Sequence, residues 1–211
     1  MELVERDFKV FREIERWRFC LGRHIKVLAE FSSQRTCDRR LKMLCDEKYI
    51  TRHKVLYGVP NVYMLTRKAK TLIYANKRLD KIRLDQIMHD VTVLDVAICF
   101  INSLRLTFSD LKTEKQLHQE DGFGVRTHQP DFIFTKGDKT YCIEVELSLK
   151  STVRLEKNIK SNFRKYDVQI WVVDENGTKL IRKLEYFKLP YANIEITNVR
   201  EVQNDITRFI T

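Results

Sequence analysis

Asp131, Glu144 and Glu146 are three carboxylates that a single β-hairpin would collect. Residues 130–134 read as one strand. Lys136, Gly137 and Asp138 form a turn, and residues 141–147 read as the returning strand. Side chains alternate along a strand, so Glu144 and Glu146 point to one face, with Cys142 nearer the turn. Asp131 lies on the partner strand. Like charges held together repel unless a cation or basic group lies between them. Such oxygen ligands suit Mg²⁺ or Mn²⁺, and a metal held by Asp131 and Glu144 would activate water and stabilise charge on a phosphodiester. The alternative is a scaffold without chemistry, in which Glu144 and Glu146 pair with Arg or Lys from the following helix.

A second set of residues suits a polyanion. Ser33 supplies a helix N-cap, since its hydroxyl can accept from a free backbone N–H of the next turn. The helix it opens runs from about Gln34 to Glu47. Cys37, Leu41 and Leu44 fall on its inner face, and Gln34, Arg35, Asp38, Arg39 and Lys42 face outward. Arginine can bond bidentately to guanine and glutamine to adenine, so Ser33, Gln34, Arg35, Arg39 and Lys42 are candidate DNA contacts. Arg52 and Lys54 sit on the first strand of a following hairpin, where they would hold phosphates.

Ordinary local patterns position both sets. Phe8, Phe11, Ile14, Trp17 and Phe19 mark a helix over residues 5–19, and Ile25, Leu28 and Phe31 a second helix after Gly22. Residues 48–56 and 61–66 form a two-stranded hairpin with its tip at 57–60. Thr66 then caps a helix from Arg67 to Asn76. A charged connector over 77–83 leads to one long helix over 84–105, whose stripe Ile87, Val91, Leu94, Ile98 and Ile101 must be covered by a neighbouring domain or a second subunit. Beyond the carboxylate hairpin, Ser151 leads into a helix. Its inner residues are Leu155, Ile159, Phe163 and Tyr166, and its outer residues Arg154, Lys157, Lys160, Arg164 and Lys165. Residues 168–173 are an unbroken apolar strand, as in a sheet covered on both faces. A helix over 178–187 and a strand over 192–197 follow.

Charge separates the two parts. Residues 1–83 hold 21 Lys and Arg against 10 Asp and Glu, whereas residues 84–211 hold 18 against 19, so the net +10 belongs to the leading part. No apolar run approaches the roughly 20 residues of a membrane span. The N-terminus has no apolar leader, and the five cysteines lack paired spacing, which suits reduced thiols in the cytoplasm.

Helix, helix, serine-capped basic helix and basic hairpin, ending in the segment from Arg39 to Arg67, resemble the winged helix-turn-helix superfamily. The order helix, hairpin with Pro130, Asp131 and Glu144-Val145-Glu146, basic helix and buried strand resembles the PD-(D/E)xK nuclease-like fold. That resemblance places Glu114 at an acidic position on the preceding helix and aligns Asp131 and Glu144 with its carboxylates. Glu146 stands where the pattern has a lysine, and Lys150 is the candidate relocated lysine. Glu114, Asp131, Glu144, Glu146 and Lys150 are thus the catalytic candidates. Taken end to end, the chain resembles the replication-relaxation family, which joins a winged helix to a PD followed by an E-x-(D/E) strand and a basic helix with a late tyrosine, here Tyr166.

The expected fold is a two-domain α+β or α/β chain: a winged helix-turn-helix over 1–76, a connector and long helix over 77–107, and a restriction-endonuclease-like mixed sheet with flanking helices over 108–211. The resemblance implies a sequence-directed duplex DNA-binding protein of a plasmid or integrative element, acting in replication initiation or DNA relaxation and transfer beside a relaxase or replication protein. Two alternatives stay open: a metal-dependent endonuclease using Asp131, Glu144 and Glu146, and a transcriptional regulator that dimerises through 84–105.

Overall fold

The computed structural model describes residues 1–204 except 56, 59, 108, 123, 125 and 126. The chain is a mixed α and β protein with two compact units, Met1–Leu94 and Asp95–Thr211.

The first unit opens with α1 (Glu5–Trp17), whose first turn is held by Asp7. Its carboxylate accepts from the Val4 backbone N–H at 2.8 Å and from the Arg40 Nε at 2.8 Å. Arg18, at φ 69°, stops the helix. Phe19 therefore lies outside α1, earlier than the pattern of apolar residues suggested. The next two residues, Cys20–Leu21, form β1, an element that periodicity does not reveal because two residues carry no period. Then come α2 (Gly22–Leu28), α3 (Gln34–Asp46), β2 (Ile50–His53), β3 (Val62–Leu65) and α4 (Arg67–Leu72).

Both expected hydroxyl caps are made. Ser33 Oγ accepts from Thr36 N–H at 3.1 Å, and Thr66 Oγ1 from Ala69 N–H at 3.5 Å. The fourth helix ends at Leu72, short of Asn76, and Tyr74 follows at φ 55°. The hairpin becomes a three-stranded antiparallel sheet in the order β1-β3-β2, because Cys20 and Leu21 pair with Tyr63 and Val62. The expected hairpin tip includes Val59, and the first strand Leu56; both lie outside the described residues. Val10, Phe11, Ile14, Ile25, Cys37, Leu41 and Leu44 form the core between helices. Buried Lys70 reaches Glu15 and Asp80, each at 2.7 Å, and the Arg78 carbonyl at 2.9 Å, which fastens part of the 77–83 segment to α1 and α4.

The long helix α5 (Ile87–Leu104) contains the boundary between the units. Within the first unit, Ile87 and Val91 pack with Phe19, Leu21 and Val62. Within the second, the Phe100 ring meets Phe132 and Phe134, with centroids at 5.9 and 5.3 Å. Ile87, Val91 and Leu94 of the expected stripe are thus buried, as is Phe100 beside it, whereas Ile98 and Ile101 stay half-buried. By length and composition α5 could cross a membrane, a correction to the expectation that no run approaches that length. Ile87, Val91, Leu94, Phe100 and Leu104 on it are buried.

The second unit continues with β4 (Leu111–Thr113), α6 (Glu114–Asp121), β5 (Phe132–Lys136), β6 (Lys139–Glu146), α7 (Thr152–Phe163), β7 (Val168–Val173), α8 (Thr178–Lys188), β8 (Ile194–Asn198) and α9 (Val199–Asn204). The strands form one sheet in the order β4-β5-β6-β7-β8. The first three are antiparallel and the last three parallel. Gly137, at φ 63°, makes the turn between β5 and β6 in a region that L side chains disfavour.

Register sorts the two faces. Phe132, Phe134, Tyr141, Ile143, Val145, Ile170 and Val172 share one. Cys142, Glu144 and Glu146 share the other with Gln169, Trp171 and Val173, because β6 and β7 pair in parallel. On this second face Trp171, Val173 and Ile194 pack under Leu155 and Ile159 of α7 and Leu180, Leu184 and Phe187 of α8. The acidic half lies beside that apolar half, on the same face of the sheet.

Candidate functional site

The first unit holds an open groove of about 1280 Å³ between α3 and the β2–β3 strands. Helical spacing turns Gln34, Asp38, Arg39 and Lys42 away from the buried Cys37, Leu41 and Leu44, and all four are exposed. Gln34, Arg39 and Lys42 line the groove from the helix side and Arg52 from the strand side. Ser33 and Arg35 are exposed at the start of α3 but do not line it, and Lys54 lies over the Tyr57 ring at 5.8 Å.

Among the lining residues that escaped sequence reasoning are Arg23, His53 and Asn61. Arg23 follows Gly22 at the start of α2, and His53 and Asn61 lie on or beside the strands. Their only signal was polarity within a basic stretch. Gly22 permits a close approach here, since a Cβ would meet Gln34 Nε2 at 3.3 Å and Asp38 Oδ1 at 3.5 Å. Gln34 Nε2 donates to Asp38 Oδ1 at 2.7 Å, so the amide is oriented by the carboxylate beside it. Asp38 and Asp46 are the acids of the groove, against Arg23, Arg39, Lys42 and Arg52. The surface is cationic on balance and can take phosphates while offering an amide and guanidinium groups to base edges.

The second unit holds the carboxylates. Glu144 and Glu146 are buried, and burial of an unpaired carboxylate costs several kcal/mol. Each is paired. Glu144 Oε1 lies 2.5 Å from His128 Nε2 and accepts from Asn162 Nδ2 of α7 at 2.8 Å. Glu146 ion-pairs with Lys150 and accepts from the Ser148 hydroxyl at 3.3 Å. Asp131 Oδ2 accepts from the Val145 N–H at 2.7 Å, which bridges β6 and the residue before β5. The Glu114 backbone N–H donates to the Asp131 carbonyl at 2.9 Å, but its carboxylate lies beside His118 at 3.7 Å.

Burial pushes the Tyr166 hydroxyl far above its usual range, and nearby Cys142 and Glu144 add to this. Burial likewise raises the Cys142 thiol. Gln129 and then Thr127 donate to Asp121 and hold its carboxyl below the usual range.

His128 and Asn162 are the partners that sequence reasoning missed. Asn158 and Asn162 stand on the inner side of α7 beside Leu155 and Ile159, so amides within an apolar stripe were a readable signal. His128 carried none, being 16 residues from Glu144 in the chain.

As folded, the carboxylates are held by the protein's own donors rather than turned toward one common point. Imidazole and amide groups take Oε1 of Glu144, a backbone N–H takes Oδ2 of Asp131, and the Lys150 ammonium and the Ser148 hydroxyl take the two oxygens of Glu146. Among the described residues, no group of three or more His, Cys, Asp and Glu side chains converges as a metal-holding set. The arrangement neutralises buried carboxylates and joins α7 and the 128–131 segment to the centre of the sheet.

Comparison of the chain with known protein families, characterised proteins and solved structures finds no match.

Proposed function

We propose that the first unit is a winged helix-turn-helix and that the protein binds duplex DNA through the groove between α3 and the β2–β3 strands. The observation that carries this reading is the convergence on one open groove of Arg39 and Lys42 from a helix and Arg52 from a strand, in the part of the chain that holds the net positive charge. In this reading α3 enters the major groove, Gln34 and Arg39 read bases, and Arg52, Lys42 and Arg23 hold phosphates. The second unit is a PD-(D/E)xK-like scaffold whose carboxylates serve architecture. The whole is a cytoplasmic protein of the replication-relaxation type, acting on a plasmid or integrative element in replication initiation or DNA relaxation and transfer.

Footprinting of the purified protein on plasmid DNA carrying a transfer or replication origin tests this reading. A protected segment at the origin is expected. Absence of protection anywhere, at low ionic strength, would remove it. Light scattering with and without duplex then decides whether a second copy joins through 84–105, and a relaxase or replication protein added to the same mixture tests the remaining partner.

A further inference from the structure

The second unit carries a cationic surface of its own on α7. At 100° per residue, Arg154, Lys157, Lys160 and Arg164 fall within an arc of about 120° on the side opposite Leu155, Asn158, Ile159 and Asn162. All four are exposed, and Glu156, the one acid on the helix, lies to the side of that arc. The row from Arg154 to Arg164 is roughly 15 Å long, comparable to about four nucleotide rises along one strand of a duplex.

Two observations bear on this stripe. Among the described residues, none of the four side chains has an ion-pair or hydrogen-bond partner; Lys179, Arg182 and Lys183 on α8 share that state, so what sets α7 apart is the alignment of four such cations in one row. The stripe also concentrates positive charge in a part of the chain that has no net excess of it, since residues 84–211 hold 18 Lys and Arg against 19 Asp and Glu. Solubility alone asks for mixed signs. Four unpaired cations in a row cost mutual repulsion and are relieved by a regular polyanion.

We infer that the outer face of α7 is a second, sequence-independent DNA-phosphate-binding surface. It rests on the reading of the protein as a duplex binder, and it assigns to the second unit a share of the affinity but none of the sequence preference. Guanidinium and ammonium groups displace condensed counterions wherever the backbone passes.

The test uses the full chain. Binding to a labelled origin duplex and to a scrambled duplex is measured across a salt series for three proteins: wild type, Arg39→Ala/Lys42→Ala, and Arg154→Gln/Lys157→Gln/Lys160→Gln/Arg164→Gln. The fourfold variant is expected to lose affinity for both duplexes by the same factor, at least about tenfold, and to shrink the salt slope by roughly 2–4 units, about 1 for each phosphate no longer neutralised. The ratio between the duplexes stays at its wild-type value. A second variant, Arg154→Lys/Arg164→Lys, keeps the charge and is expected to bind as wild type, which separates charge from folding.

Unchanged affinity and slope in the fourfold variant, with weakened binding in the groove variant, would overturn the inference and leave the duplex-binding reading standing. Failure of wild type on both duplexes overturns both. Binding of wild type to phosphatidylserine vesicles that the fourfold variant loses, with duplex binding untouched, assigns the stripe to a membrane surface and also overturns the inference.

Discussion

His128 and Glu144 meet with Nε2 and Oε1 2.5 Å apart, although the carboxylate belongs to a central strand and the imidazole to the segment before β5. Asn162 donates to the same oxygen from α7. One buried charge therefore ties together three separate stretches of the second unit. Replacing His128 by Ala removes one of those ties and is expected to cost about 1–3 kcal/mol, because Asn162 still holds Oε1. The chain has two tryptophans, Trp17 in the first unit and Trp171 in the second. Urea unfolding followed by Trp171 fluorescence in a Trp17→Phe background reads the second unit alone. A midpoint unchanged by His128→Ala would show that the pair contributes nothing to stability.

Each of the three carboxylates already has a donor from the protein itself, so millimolar Mg²⁺ or Mn²⁺ is expected to leave the unfolding midpoint of the second unit where it was. Asp131→Ala should not alter the response. Tight binding of a cation to the folded state would instead raise the midpoint with concentration, by about 2.7 kcal/mol at a hundredfold excess over Kd. Nicking of plasmid by wild type but not by Asp131→Ala would restore the endonuclease alternative.

In the groove, Arg39→Ala should weaken binding to the preferred duplex by about 1–3 kcal/mol and relax its sequence preference. Arg52→Ala should weaken all duplexes alike and reduce the salt slope by roughly 1. Fluorescence anisotropy on matched and scrambled duplexes distinguishes the two behaviours. If Arg39→Ala scaled every duplex equally, its role would be phosphate contact alone.

Ser33 has a structural task that stability measurements can isolate. Its hydroxyl accepts from the Thr36 N–H, so Ser33→Ala leaves an orphan donor at the start of α3 and is expected to cost about 1 kcal/mol. Ser33→Asp should retain most of that stability. Equal losses in both variants would contradict the capping role.

Lys70 gives a pH signature. Burial lowers its pKa, but hydrogen bonds to Asp80 and Glu15 outweigh this and hold it above the ordinary value of 10.5. A raised folded value means the contribution is complete below pH 10.5 and disappears as pH climbs through the raised value. Thermal unfolding of wild type should therefore fall above pH 10.5 more steeply than that of Lys70→Met. At neutral pH that variant leaves Glu15 and Asp80 without their shared cation and should be less stable by about 3–5 kcal/mol. Parallel pH profiles for the two proteins would refute the assignment.

Local pattern was enough for much of the chain. The apolar recurrence Cys37, Leu41 and Leu44 behind a serine places α3 and decides that Arg39 and Lys42 face out. The unbroken run at 168–173 foretells a strand covered on both sides, and Gly137 marks the turn of the carboxylate hairpin. These features depend on neighbours within a few residues, which is the range over which helical and extended periods operate. Two-residue β1 and three-residue β4 are too short to display a period, and they exist because β3 and β5 offer free edges to them. The chemistry of the carboxylates was decided the same way. Sequence puts Glu144 and Glu146 on one face, but whether that face meets a metal, water or a proton donor depends on what packs across it. Here Lys150 comes from only four residues along the chain, but His128 and Asn162 arrive from other elements, since a charge taken out of water must find a partner wherever the fold can supply one.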